Sequence, residues 1–240
     1  MKKKNSLFLK GLKDGIPIAV SYLSVSFAFG IFAVGKGLLP VEALLLSMTN
    51  LTSAGQLSAV PIIAGGGSLI ELGFLQLVIN LRYSLMSASL SQRLERGIGL
   101  PHRFLLSFGV TDEVFAVAYT QPKGLTPRYL YGLILMPYLG WSAGTILGAL
   151  AGNLLPPLLL SALGMAIYGM FLAIVLPVVK KNTATALCVL FALVLRCAMY
   201  YIPALQVIPD GFSIILSAAS MSALFAYRDA RIAKKEGLTL

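Results

Sequence analysis

Charge is what this chain of 240 residues has least of. Only 12% of it is Asp, Glu, Lys or Arg, against 58% apolar residues, and the mean hydropathy is +0.85. Soluble domains are about a quarter charged, so there is too little polar side chain here to cover a globule in water. That shortage excludes a soluble enzyme, a disordered chain and a nucleic-acid binder together. The net charge of +10 sits in basic clusters between apolar runs, the pattern of loops at a membrane surface. Histidine is nearly missing: His102 stands alone beside Arg103, so neither a Ser–His pair nor an HExxH metal helix can be built. No glycine loop runs into Lys-Ser or Lys-Thr, which excludes ATP hydrolysis by a P-loop. The two cysteines, Cys188 and Cys197, share one apolar stretch and read as small apolar fillers rather than a bridge. No enzyme activity, cofactor or metal is expected.

What is present is apolar length. Eight segments stand out, at about 16–35, 41–64, 69–90, 104–121, 128–151, 155–179, 183–202 and 211–227. A spanning helix takes about 20 apolar residues. The reading is therefore an all-α integral membrane protein of about seven to eight transmembrane helices, some broken or re-entrant. It forms one polytopic domain over 1–240, with a basic cytoplasmic N-terminus at 1–15 and a basic cytoplasmic tail at 228–240. Eight crossings from a cytoplasmic N-terminus leave Lys36, Arg93, Arg96 and Arg103 outside, and three of these share one short loop that the positive-inside rule would keep in. Either the loop violates the rule, or one of the polar segments 41–64 and 104–121 is re-entrant. An internal repeat is hinted at by Leu39-Pro40 and Pro61 against Leu155-Pro156 and Pro177, and by Leu81-Arg82 against Leu195-Arg196.

Polar residues at membrane depth are costly and mark function. The second segment carries Asn50, Thr52, Ser53, Gly55, Gln56 and Ser58, which points to a helix interrupted near Ala54-Gly55 around a substrate cavity; close packing through small residues is the plainer alternative. In the third, Gln76, Asn80, Ser84, Ser87 and Ser91 form one stripe, with Arg82 about 200° from Asn80 at 100° per residue. A guanidinium at that depth keeps its charge and needs a partner. Asp112 and Glu113, about mid-segment in the fourth run, supply one carboxylate for Arg82 and a second for the cavity, where neighbouring carboxylates favour holding a proton. Arg196, near the middle of the seventh segment, completes a neutral set with them. Glu42 and Glu71 belong at segment ends, and Tyr138, Trp141, Tyr200 and Tyr201 to the interfacial belt or packing.

Taken in order, Gly15-Ile16-Pro17, Ser26-Phe27-Ala28-Phe29-Gly30, Ala54-Gly55-Gln56-Leu57, Asn80-Leu81-Arg82-Tyr83 and Thr111-Asp112-Glu113 resemble the AzlC family, the larger subunit of bacterial branched-chain amino acid exporters. The family often has His after Asn-Leu-Arg, where Tyr83 stands here. The resemblance implies a multi-pass protein of the bacterial inner membrane. It implies export of branched-chain or other hydrophobic amino acids with a small AzlD-type membrane subunit as partner. A proton gradient is the expected drive. Asn50, Ser53, Gly55, Gln56, Asn80, Arg82 and Ser84 are the expected substrate-binding residues, and Asp112, Glu113 and Arg196 the coupling or ion-pair set. A carrier for a different small hydrophobic solute, or a non-transporting module that stabilises a partner, is the alternative.

Overall fold

The computed structural model describes residues 2–122, 124–152, 156, 158, 165, 169, 172 and 175–235, and among them the regular structure is helical. Helix α1 is Lys2–Gly35, α2 Pro40–Thr49, α3 Ser53–Ala64, α4 Leu69–Ser91, α5 Leu100–Phe108, α6 Asp112–Thr120, α7 Pro127–Ala151, α8 Thr183–Tyr201 and α9 Asp210–Lys235. Among the described residues, five stretches are long and apolar enough to cross a membrane: Ser6–Gly35, Leu69–Ser91, Pro127–Ala151, Thr183–Tyr201 and Asp210–Arg228. The segments at 41–64 and 104–121 are each broken into two half-helices. The segment at 155–179, with its half of the repeat, lies largely outside the described residues. The chain divides into two compact units, one of Met1–Ala64 with Ile79–Ile167, the other of Gly65–Val78 with Tyr168–Leu240, and the division falls inside α4.

In the first unit α1 and α7 touch backbone to backbone. A Cβ at Gly132 would lie 2.3 Å from the Phe8 carbonyl oxygen, one at Gly140 2.5 Å from that of Ala19, and one at Gly148 1.9 Å from that of Phe27. Both sequences advance together along this seam, so the two helices run parallel. Between membrane helices there is no hydrophobic drive to associate, and small residues that admit close backbone approach supply the dispersion contact instead.

The breaks follow from local chemistry. Helix α1 closes with Gly37 at φ 98°, its N–H donating to Val34 and the Leu38 N–H to Ala33, the left-handed glycine end that only a residue without Cβ adopts freely. Pro40 then opens α2 with the Glu42 carboxylate accepting from the Leu39 N–H at 2.8 Å. At the end of α2 the polar run takes over: Thr52 Oγ1 donates to Asn50 Oδ1 at 2.7 Å, and the Thr52 N–H to the Asn50 carbonyl. Side chains of this kind offer the backbone an alternative to helix. The interruption read at Ala54-Gly55 therefore falls at Asn50–Thr52, and Gly55 lies in the first turn of α3. In the fourth segment Gly109 ends α5, and Thr111 caps α6 by accepting from the Val114 N–H at 3.3 Å.

Contacts along α1 and α7 give the depth of each half-helix. His102 Nδ1 pairs with Tyr131 Oη near the start of α7, and Phe108 meets Tyr138 two turns further on, so α5 descends from the N-terminal end of α7 to its middle. Glu113 meets Tyr22 halfway along α1, while Gln121 accepts from Lys10 near its start, so α6 climbs back out. The loops at the two ends of this hairpin are clasped: the Gly124 and Leu125 N–H groups both donate to the Arg93 carbonyl, and Arg93 Nη2 donates to Gln121. Segment 104–121 is re-entrant.

The other broken segment mirrors it. Ala43 near the start of α2 and Val60 near the end of α3 share one buried cluster with Ala33 and Ala149, at the far ends of α1 and α7. Ser47 reaches Thr145, and the Met48 carbonyl accepts from Tyr138, so α2 also stops midway. The four half-helices have 10, 12, 9 and 9 residues, about 14–18 Å each and half of a roughly 30 Å hydrocarbon core. Both polar segments are thus re-entrant, from opposite ends, rather than one alone. Of the two alternatives for Arg93, Arg96 and Arg103, the re-entrant one applies, and their loop lies at the same end as the N-terminus.

In the second unit α8 and α9 form an antiparallel pair joined through a short 3-10 turn at Pro203–Leu205, with Phe191 against Phe225 at 6.2 Å. The Asn182 side chain caps α8 by accepting from the Ala184 and Thr185 N–H groups. Glu71, read as interfacial, is 5% exposed and accepts from the Gly211 N–H at 2.6 Å, so its carboxylate closes the positive end of α9.

Two outcomes are expected. Single cysteines introduced by Glu95→Cys and Gly124→Cys in a chain without Cys188 and Cys197 label with an impermeant maleimide from the same membrane face, and Gly37→Cys from the opposite one. Gly144→Leu, whose Cβ would sit 2.0 Å from Ser26 Oγ, lowers thermal stability in detergent by about 2–3 kcal/mol or abolishes folded protein.

Candidate functional site

The tips of the two hairpins meet at mid-depth. Leu51 from one and Val110 from the other belong to a single buried cluster with Tyr22, Val114 and Trp141. The returning limbs α3 and α6 both begin here, so two helix N-termini, each equivalent to about half a positive charge, converge from opposite ends. Helix α6 presents Asp112 and Glu113 in its first turn.

Arg82 of α4 places Nη2 2.8 Å from Asp112 Oδ2, with the two side chains 54% and 45% exposed. The same Nη2 donates to Tyr83 Oη at 3.0 Å, and the guanidinium carbon lies 4.9 Å from that ring. Tyr22 Oη donates to Glu113 Oε2, and the Tyr22 ring stands edge-on to Trp141 at 5.2 Å. Asp112 thus faces the guanidinium and Glu113 a phenol donor, both in the first turn of α6, where the helix dipole favours negative charge. Such a set can clamp a zwitterion, its carboxylate on the arginine and its ammonium on the acids, and an acid held by a neutral phenol can carry a proton.

Behind the tip runs a buried hydrogen-bonded chain. Trp141 Nε1 donates to Gln56 Oε1 at 2.8 Å, Gln56 Nε2 donates to Ser47 Oγ at 2.7 Å, and Ser47 shares a 2.7 Å bond with Thr145 Oγ1. Gln56, Ser47 and Thr145 have no exposed surface. Both ends of the Gln56 amide are engaged in tying α2 and α3 to α7.

The expected site residues separate accordingly. Arg82 and Asp112 come together as an ion pair, with Glu113 one residue on. Asn50 lies in the α2–α3 tip, Ser53 opens α3, and Gly55 follows in its first turn. Asn80 and Ser84 flank Arg82 on α4. Arg196 has a partner within the second unit: its Nη2 bonds Asp210 Oδ1 at 2.7 Å, because the α8–α9 turn brings the first residue of α9 back onto it. Tyr22 was missed by the reading of the sequence, and Tyr138 and Trp141 were read as belt or packing; nothing in their local sequence distinguishes a phenol or indole aimed at the tip.

A family model described as AzlC protein matches residues 17–155, the stretch that holds both hairpins and the Arg82–Asp112 pair. The chain belongs to the AzlC family. It is 36% identical over 185 residues to an uncharacterized membrane protein of Archaeoglobus fulgidus, covering 76% of this chain and 81% of that one. It is 30% identical to the inner membrane protein YgaZ of Escherichia coli, over 79% and 80% of the two chains. Similarity extends to the branched-chain amino acid transport protein AzlC of Bacillus subtilis, 26% identical over 58% of this chain and 55% of that one. No solved structure matches. Membership of the AzlC family and the likeness to a transport protein support a membrane transport role.

The buried chain makes a stability prediction. Gln56→Leu leaves the Trp141 indole N–H without its acceptor and lowers stability by about 1–3 kcal/mol. Ser53→Ala, at the half-buried start of α3, stays within about 0.5 kcal/mol. Thermal unfolding of the purified variants measures both.

Proposed function

We propose that this AzlC-family protein exports branched-chain or other hydrophobic amino acids, driven by the proton gradient and working with a small AzlD-type membrane subunit. One observation carries the reading: the Arg82–Asp112 pair, at the meeting point of two half-helix hairpins, combines a fixed cation with paired acids at mid-membrane, where charge is retained for function. The carboxylate of an amino acid goes to Arg82 and the start of α3 near Ser53 and Gly55, and its ammonium to Asp112. Asn50, Asn80 and Ser84 line the polar side, and Gln56 holds the hairpin in place. Glu113, released from Tyr22, takes the coupled proton.

Charge supports the orientation. Lys2, Lys3, Lys4, Lys10, Lys13, Arg93, Arg96, Arg103 and Arg128 lie toward one end of the first unit and Lys36 toward the other, so the N-terminal end faces the cytoplasm of a bacterial inner membrane. Helices α5–α6 then enter from the cytoplasm and α2–α3 from outside. The basic end of α9, with Arg228 and Arg231, is assigned to the cytoplasm by the same rule.

Efflux of radiolabelled leucine from proteoliposomes, with and without the co-expressed small subunit, is the test. Arg82→Ala and Asp112→Asn are expected to lower the rate at least about tenfold. Glu113→Gln should fold normally and lose the dependence of rate on pH between about pH 6 and pH 8. Wild-type rates for all three variants overturn the site, and full flux from the single chain removes the partner from the proposal.

A further inference from the structure

In the second unit the residues around Arg196 form a cavity that the family match, ending at residue 155, does not reach. It measures 480 Å³ and is lined by Arg196, Met199, Tyr200, Tyr201, Gln206, Ile208, Pro209 and Asp210, a volume within the roughly 300–1,000 Å³ range of small-molecule sites. Its walls come from the last turns of α8, the connecting turn and the first residue of α9. The chemistry is mixed in a particular way. Arg196 is only 28% exposed, whereas the Asp210 carboxylate that it bonds is 76% exposed. The guanidinium is therefore fixed in the wall while its partner stands open. That bond uses one of five N–H donors, and no other hydrogen bond to the guanidinium occurs among the described residues. Tyr200 lies 5.8 Å from the guanidinium carbon, and Gln206 Nε2 donates to the Tyr200 carbonyl at 2.7 Å, which braces the turn behind the cavity. Met199, Ile208 and Pro209 supply apolar wall.

The same constellation occurs at the hairpin tips, where Arg82 bonds Asp112 and lies over Tyr83. Its recurrence in the second unit matches the echo of Leu81-Arg82 in Leu195-Arg196. From the cavity, the fixed arginine and the open carboxylate, we infer that the turn between α8 and α9 carries a second binding site for zwitterionic α-amino acids with apolar side chains. The ligand carboxylate takes the remaining donors of Arg196, its ammonium takes the exposed side of Asp210, and its side chain lies against Met199 and Ile208. Lys180 and Lys181 precede α8, and Arg228 and Arg231 stand in the last turns of α9, so this turn lies at the end of the helix pair away from those four cations. By the positive-inside rule it faces the exterior, where an exporter releases its load. The choice of ligand rests on the amino acid reading above; the cavity and its charges do not.

Equilibrium dialysis of radiolabelled L-leucine against the purified full chain measures the number of sites. Wild type is expected to bind two equivalents. Arg196→Gln and Asp210→Asn lose one of them, and Arg196→Lys, which keeps the cation without the guanidinium fork, binds it at least about tenfold more weakly. Arg82→Gln loses the other. Gel filtration reports whether each variant is folded, and should Arg196→Gln aggregate, Arg196→Lys and Asp210→Asn carry the test. Two equivalents unaffected by any change at Arg196 or Asp210 overturn the inference. A single equivalent abolished by Arg82→Gln and untouched by Arg196→Gln also overturns it while leaving the central site standing. A single equivalent with the reverse pattern supports it and removes the central site, and no binding by folded wild type overturns both.

Discussion

Everything in the first unit hangs on the absence of side chains between α1 and α7. Gly11, Gly15 and Gly30 on one helix and Gly132, Gly140, Gly144 and Gly148 on the other let two parallel helices meet at backbone distance over most of a membrane thickness. Lipid tails are as apolar as leucine, so dispersion between closely fitted surfaces, not exclusion of water, is what holds such a pair. The seam becomes a post. A half-helix cannot cross the bilayer and cannot leave its broken end in hydrocarbon, so it must dock on something rigid that satisfies the freed polar groups. The α1–α7 pair offers Tyr22, Tyr138, Trp141 and Thr145 at the depth where both hairpins end.

The two hairpins are held differently. The α2–α3 hairpin is joined to α7 by the buried Trp141–Gln56–Ser47–Thr145 chain, and its far limbs share a buried cluster with α1 and α7. The α5–α6 hairpin exposes Leu100, Phe104, Leu105 and Phe108 and is held instead by apolar burial, Leu106, Val110, Val114 and Ala118 packing into the cluster with Tyr22 and Trp141. Glu113, the acid proposed to take the proton, is also a contact of this hairpin with α1, through Tyr22.

Much of the architecture was legible in the residues. Five of the apolar segments appear as long helices because roughly 20 uncharged residues leave the backbone no other way to satisfy itself in hydrocarbon. Among the described residues, the two segments singled out as polar are the two that break. The break in the second was displaced by a few residues, from Ala54-Gly55 to Asn50–Thr52, because side-chain bonds from Thr52 and Asn50 ended α2 before glycine was reached. That both segments return to their own side, and not one of them, was invisible locally: it is decided by clasps such as Arg93 with Gln121 and by Ala43 sharing a cluster with Val60, between positions far apart along the chain.

The same division holds for the charges. Composition alone made this a membrane protein, and the cost of an unpaired guanidinium in a low dielectric required partners for Arg82 and Arg196 whatever the fold. The identity of those partners was a matter of folding. Asp112 reaches Arg82 because α6 starts at mid-depth, with its first residue facing α4, whereas Arg196 takes Asp210 because a turn folds α9 back beside α8. Hydropathy and charge state are properties of residues and can be read one segment at a time. Pairing depends on which segment turns back within the membrane, and that follows from contacts between helices rather than from any one of them.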